Sequence, residues 1–204
     1  MKKALVIQGP NSHGEKIKEC YKNLPVIFST LEDENVSNLY DSNFTIIKNK
    51  KPAIPGRLNF NYQVTNTLNG IKKAKELGYE YIFKIRSDIT IKEIEKLLNL
   101  LENEKDVIYF SAYHNWDGGY LCEHMLYGKT EVMEKLWSVP TSSSNLPPET
   151  QLTNSLKNNL SNLKIKFIFP ILYSNNILAF WEKRSFYLND YKKDKLFTYD
   201  EFSI

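Results

Sequence analysis

The sequence has few of the features that would settle its class at once. It holds only two cysteines, Cys20 and Cys122, far apart and at no metal or redox spacing, so they read as two reduced, packed thiols in a reducing cytoplasm. It has no long apolar run. "ALVI", Ala4 to Ile7, is closed by Gln8, Gly9 and Pro10 before it could serve as a signal core or a membrane span, which points to a soluble protein. It has no block of one charge either. The 27 Lys and Arg and 24 Asp and Glu are mixed along the chain with a net charge of +3, which argues against a nucleic-acid partner. No repeat and no linker divides it, so residues 1–204 are expected to form one domain. Near the C-terminus, "RSFYLNDYKKDKLFTYDEF" mixes aromatics with lysines that could rest against an acidic membrane face; the alternative is a solvated tail.

What is present suffices for a core. A chain of this length with 42% hydrophobic and 13% aromatic residues can bury one without disulfides or a structural metal. Strand-like segments recur at "ALVIQG", "PVIFST", "FTIIKN", "YIFKIR", "VIYFSAY", "HMLYG", "KIKFIFP" and "NILAFW". Helical patterns lie between them. Ile17, Cys20 and Tyr21 share a face behind a capping-box spacing at Ser12 and Glu15. Val64, Leu68, Ile71, Ala74 and Leu77 form a longer stripe that Gly78 should end as a C-cap glycine. Further faces run over Ile94–Leu101 and Val132–Trp137, and Pro147-Pro148 suits the turn and first position of another helix. This alternation predicts an α/β fold: a mostly parallel, mixed sheet of Rossmann-like type with helices on both faces.

In open α/β sheets ligands bind outside the carboxyl ends of the strands, so the residues there are the candidates. The first strand ends in Gln8-Gly9-Pro10, where glycine lets a ligand approach the backbone. The second ends in Ser29-Thr30, followed by Glu32, Asp33 and Glu34. The fourth, "YIFKIR", runs into Ser87 and Asp88. Asp88 can hold a hard divalent cation through oxygen or cap the next helix. Lys84 and Arg86 alternate to one side of the strand, and two like charges there suit an anionic ligand such as a diphosphate.

The run "NYQVTNTLNGIKKAKELGYEYIFKIRSDI", Asn61 to Ile89, with "ALVIQGP" and "VIFSTLED", resembles the WavE-like lipopolysaccharide-synthesis proteins, which have a GT-A-type nucleotide-sugar fold. The resemblance spans Ala4 to about Pro170. It implies a glycosyltransferase that uses a nucleotide-diphosphate sugar donor and a glycan or glycolipid acceptor of the bacterial surface, whether lipopolysaccharide, lipooligosaccharide or capsule. It also implies a place in the cytoplasm or at the inner face of the membrane. Arg86-Ser87-Asp88 stands where GT-A enzymes keep a DxD motif, whose last Asp binds Mn²⁺ or Mg²⁺ on the donor diphosphate. Asp88 keeps that carboxylate; Arg86 replaces the first. Arg86 and Lys84 could carry part of the leaving-group charge instead.

The resemblance also places Asn61 and Gln63 where side-chain amides could read base or ribose, beside a helix N-terminus that favours phosphate. An N-cap at Asn61 is the alternative. Arg57 is a second phosphate candidate, or a solvated loop arginine. Glu149 falls where inverting enzymes of this fold keep a general base, and an acid in a first helical turn is also favoured by the helix dipole. Glu123 and His124 are competing acid–base or sugar-contacting candidates. Trp116 and Asp117, in the turn-like "NWDGGY", have the composition of a sugar-binding loop. Two rival functions remain. A sugar-phosphate nucleotidyltransferase lacks support from "QGPNSHGEKIKE", which has two glycines but no Gly-rich basic run. A non-catalytic nucleotide-binding protein of the same fold is the other.

Overall fold

A computed structural model describes residues 1–40, 42–114, 120–140, 146–160, 162–184, 186–187 and 201–203. Thirteen strands and six α-helices are defined among them. In chain order the first half holds β1 (Lys3–Gln8), α1 (Gly14–Tyr21), β2 (Val26–Leu31), β3 (Thr45–Asn49), α2 (Phe60–Glu76), β4 (Tyr81–Arg86), β5 (Ile89–Ile91) and α3 (Ile94–Leu100). The second half holds β6 (Val107–Phe110), β7 (Tyr113–His114), β8 (Tyr120–Leu121), β9 (Met125–Lys129), α4 (Thr130–Trp137), α5 (Pro148–Asn159), β10 (Lys164–Phe167), α6 (Ile168–Ser174), β11 (Ala179–Trp181), β12 (Phe186–Tyr187) and β13 (Glu201–Ser203).

The main sheet has the order β13-β10-β6-β9-β4-β1-β2-β3. β9 runs antiparallel to both its neighbours and β13 antiparallel at one edge; the other pairings are parallel. Every segment read as strand from sequence contributes one. Alternation explains how the central strands pack. In β1, Leu5 and Ile7 face the core under α1, α3 and α6, while Ala4 and Val6 face the one under α2, α4 and α5. Both faces of the sheet are therefore covered, as parallel strands require.

Local details refine the expectations. Gly78 ends α2 with φ +76°, and a Schellman pair forms there: Gly78 N–H donates to Lys75 O and Tyr79 N–H to Ala74 O. Pro148 opens α5. The capping box at Ser12 does not form, since His13 is the residue before α1 and no side chain caps it. "KIKFIFP" is only half strand. Its last three residues begin α6, with Pro170 in the first turn, where a missing N–H leaves no helical bond unmade.

The topology fixes the site. β1 leads to β2 and β3 on one side, and α2 then returns the chain to β4 on the other side of β1. This reversal is the switch point at which doubly wound sheets open a crevice. A smaller antiparallel sheet, β12-β11-β5, folds over the end of β4 and sets Trp181 opposite Ile89.

Candidate functional site

A cleft of about 870 Å³ lies along the carboxyl ends of β1, β2 and β4. Its walls bring together Gln8, Gly9, Pro10, Gln63, Arg86, Asp88, Glu123, His124 and Glu149 from the sequence reading. The two sugar-loop candidates, Trp116 and Asp117, lie outside the described residues.

Arg86 and Asp88 are joined to each other. Arg86 Nε donates to Asp88 Oδ1 at 2.9 Å and Nη2 to Oδ2 at 2.7 Å, a two-pronged charge-assisted pair. Trp181 Nε1 donates to the same Oδ2 at 3.0 Å, and its ring lies 5.5 Å from Arg86 Cζ. Burial opposes both charges, but each partner outweighs it: the Arg86 guanidinium is held above its ordinary pKa and the Asp88 carboxyl below its own. Asp88 thus neither caps a helix nor presents a free carboxylate. It does not fit a divalent cation in this arrangement, because the ion would compete with a guanidinium already bonded to both oxygens. Of the five N–H groups of a guanidinium, the three not spent on Asp88 have no hydrogen-bond partner among the described residues, and Arg86 lines the cleft.

Lys84 is placed differently from the expectation. It alternates to the same side as Arg86, but its side chain is 0% exposed and lies behind the cleft wall. Its Nζ donates to Glu123 O at 2.7 Å and sits 5.0 Å over the Trp137 ring. Burial pushes its pKa down to about 8, against a smaller opposing pull from Glu123. The cation therefore works on the segment holding Glu123, and a diphosphate in the cleft has no access to it.

Two carboxyl groups at the far end of the cleft are driven apart. Burial, then the neighbouring Glu123 charge, raises the Glu149 pKa. Burial pushes Glu123 in the same direction, but the positive field of its surroundings, Lys84 and Arg86 included, keeps that carboxyl low. Burial also drives His124 down to about 4, so its imidazole is neutral at pH 7. Two acids pushed in opposite directions give the site one carboxyl that holds its proton more tightly and one that more readily stays charged.

At the other end, Gln8 and Gln63 each turn a buried Oε1 with no hydrogen-bond partner among the described residues, and both line the cleft. Gln63 Nε2 donates to Leu58 O at 3.0 Å, which fixes that amide's orientation. Thr30 Oγ1 is likewise buried and unpartnered there. Asn61 is instead a scaffold residue. Its Nδ2 donates to Ile54 O at 2.9 Å, its N–H donates to Pro55 O, and it lies 2% exposed outside the cleft lining. Arg57 is exposed on the neighbouring turn and does not line the cleft. Gly9 admits a close approach, but by protein: at φ +137°, a Cβ there would run into Ser87 Oγ.

Tyr120, the last residue of the turn-like "NWDGGY", lines the cleft; sequence reasoning missed Trp181 and Phe169, which line it too. Trp181 ends "NILAFW", so inspecting that strand end as the others were inspected would have found it.

No protein-family model and no curated protein sequence matches the chain. Solved structures do. A glycosyltransferase involved in the glycosylation of the major capsid of PBCV-1 superposes with a TM-score of 0.53 at 9% identity, covering 83% of each chain. A mannose-1-phosphate geranyltransferase from Thermus thermophilus superposes with a TM-score of 0.51 at 10% identity, over 81% of this chain and 73% of that one. The fold is the Rossmann-like α/β architecture shared by such transferases. At these identities the likeness concerns the fold alone. Among the described residues no helix is long and apolar enough to cross a membrane.

Proposed function

We propose that this chain is a glycosyltransferase that moves a sugar from a nucleoside-diphosphate donor to a bacterial surface glycan or its lipid-linked precursor, acting in the cytoplasm at the inner membrane face. The observation that carries it is one cleft at the switch point with an anchored guanidinium, Arg86, and a carboxyl of raised pKa, Glu149, on its walls. The WavE-like resemblance of residues 61–89 supports the lipopolysaccharide or capsule assignment.

In this reading the nucleoside lies against Gln8, Pro10, Thr30 and Gln63, and the unpartnered side-chain oxygens of Gln8, Thr30 and Gln63 accept from base or ribose. Arg86 holds the diphosphate and meets the charge it gains as its bond to the anomeric carbon breaks. Asp88 and Trp181 keep the guanidinium in place, so little is lost to reorganisation when that charge develops. Glu149 takes the proton of the acceptor hydroxyl as its oxygen bonds to the anomeric carbon in an inverting transfer. A divalent ion at Asp88 has no part in this scheme.

Nucleotidyl transfer is the weaker reading. The segment after β1 contributes Gly9, Pro10, Ser12 and His13 to the cleft, with no Lys or Arg to grip a triphosphate. Calorimetry with UDP, GDP, CDP and their sugar conjugates, followed by donor turnover, tests the proposal. Binding of a nucleoside diphosphate with sugar release on adding acceptor is expected. Failure of all of them to bind would overturn it; binding without turnover would leave a non-catalytic nucleotide-binding protein.

A further inference from the structure

Asp88 is occupied by Arg86, yet a different set of donors meets in the same cleft. Cys122, Glu123 and His124 are consecutive, all three line the cleft, and one ligand atom from each lies within 4.8 Å of the other two. We propose that these three residues bind a thiophilic divalent cation of the zinc class, with the coordination position opposite them open to the cleft.

The backbone already holds the tripeptide in place. Cys122 N–H donates to Ala112 O at 2.9 Å, and Cys122 O accepts from Ser111 N–H at 3.1 Å. Glu123 O accepts from Lys84 Nζ at 2.7 Å, and His124 O accepts from Arg86 N–H at 3.2 Å. The main chain is thus held, and any closing of the site falls to the side chains.

Adjacent ligands of a tetrahedral zinc lie roughly 3.5 Å apart, given bonds of about 2.0–2.3 Å. Glu123 Oε2 and His124 Nε2 are already 3.8 Å apart. With all three ligand atoms within 4.8 Å of one another, none has to draw in by more than about 1–1.5 Å. Glu123 Oε2 supplies the independent sign of a ligand. Its residue is 1% exposed, and the atom is buried with no hydrogen-bond partner among the described residues, a costly state that an ion would relieve.

The donor set selects the ion. Thiolate and imidazole favour zinc, cobalt or ferrous iron over magnesium, calcium or manganese. Cys122 releases its thiol proton to solvent as Sγ bonds to the ion, and thiolate and carboxylate together balance the double positive charge. Three protein ligands with one open position are the pattern of ions that act on a substrate. The inference does not depend on the sugar-transfer reading, because ion binding is measured without donor or acceptor.

The test is a titration of the untagged, metal-stripped full chain with Co²⁺ under anaerobic conditions, read by absorbance. Stoichiometric binding with a thiolate-to-cobalt charge-transfer band is expected. The band should vanish in Cys122→Ser and persist in Cys20→Ser, and added Zn²⁺ should bleach it. His124→Ala should weaken affinity by at least the roughly 10–100-fold that even outer-shell changes cost metal sites. A wild-type spectrum with no thiolate band overturns the proposal whether or not any variant folds. So does a band that survives in Cys122→Ser.

Discussion

Arg86 and Asp88, two residues apart on the turn that leaves β4, hold each other by both prongs at 2.9 and 2.7 Å, and Trp181 locks the pair from 93 residues further along the chain. The carboxylate orients the cation, and the cation is what the cleft sees.

Arg86→Lys keeps the charge and loses the fork. Removing charge-assisted hydrogen bonds worth about 1.5–3 kcal/mol should weaken nucleoside-diphosphate binding by roughly 10–100-fold. Calorimetry with the best-binding nucleoside diphosphate checks this, and unchanged affinity would remove Arg86 from the diphosphate.

Glu149→Gln should lower turnover by about 10²–10⁴ while leaving nucleoside-diphosphate affinity unchanged. The wild-type rate should rise with pH as Glu149 ionises, with a midpoint above the ordinary 4.5. Stability has the opposite sign. The folded chain holds this proton more tightly than the unfolded one, so the contribution is present below the unfolded pKa and is lost as pH rises through the raised folded value. A pH–rate profile and denaturant midpoints of both proteins between pH 4 and 8 test the two halves separately.

Lys84 gives a second pH signature. Its folded pKa of about 8 lies below its ordinary 10.5, so between these values the unfolded chain binds more protons and stability rises with pH. Relative to Lys84→Met, the wild type should gain up to about 3 kcal/mol across that window. A difference in unfolding free energy that stays flat from pH 8 to 10.5 would mean that burial does not lower the Lys84 pKa and that the ammonium stays charged across the window.

Gly9→Ala meets two obstacles, a backbone at φ +137° and the Ser87 hydroxyl. The expected loss is about 1–3 kcal/mol. Adding Ser87→Gly should restore only the part due to the clash. Denaturant midpoints of the single and double variants separate the two contributions, and full recovery would show that the dihedral costs nothing.

Much of the fold was legible because each strand and helix carries its own period. "YIFKIR" alternates, the α2 stripe repeats at helical spacing, and Gly78 marks a helix end, all from neighbours in sequence. The candidate site was legible through one rule, that strand ends face the ligand, which found Gln8, Arg86 and Asp88. Residues whose role depends on distant neighbours were harder. Asn61 has the chemistry of a ligand contact, but the loop at Ile54 and Pro55 consumes it. Cys122 looked like an isolated thiol because cysteine spacing says nothing of the glutamate and histidine beside it.

The sequence by itself determined that polar and charged groups would collect at one edge of a two-faced sheet, since alternation and strand order of that kind are local properties. It could not determine what those groups would meet. Only the tertiary structure turned Lys84 inward onto Glu123 O, closed Arg86 on Asp88, and brought Trp181 across to both. The physical reason is that a charge at a strand end is satisfied by whichever opposite charge, carbonyl or ring packs against it, and that partner is chosen by how the sheets fold over one another.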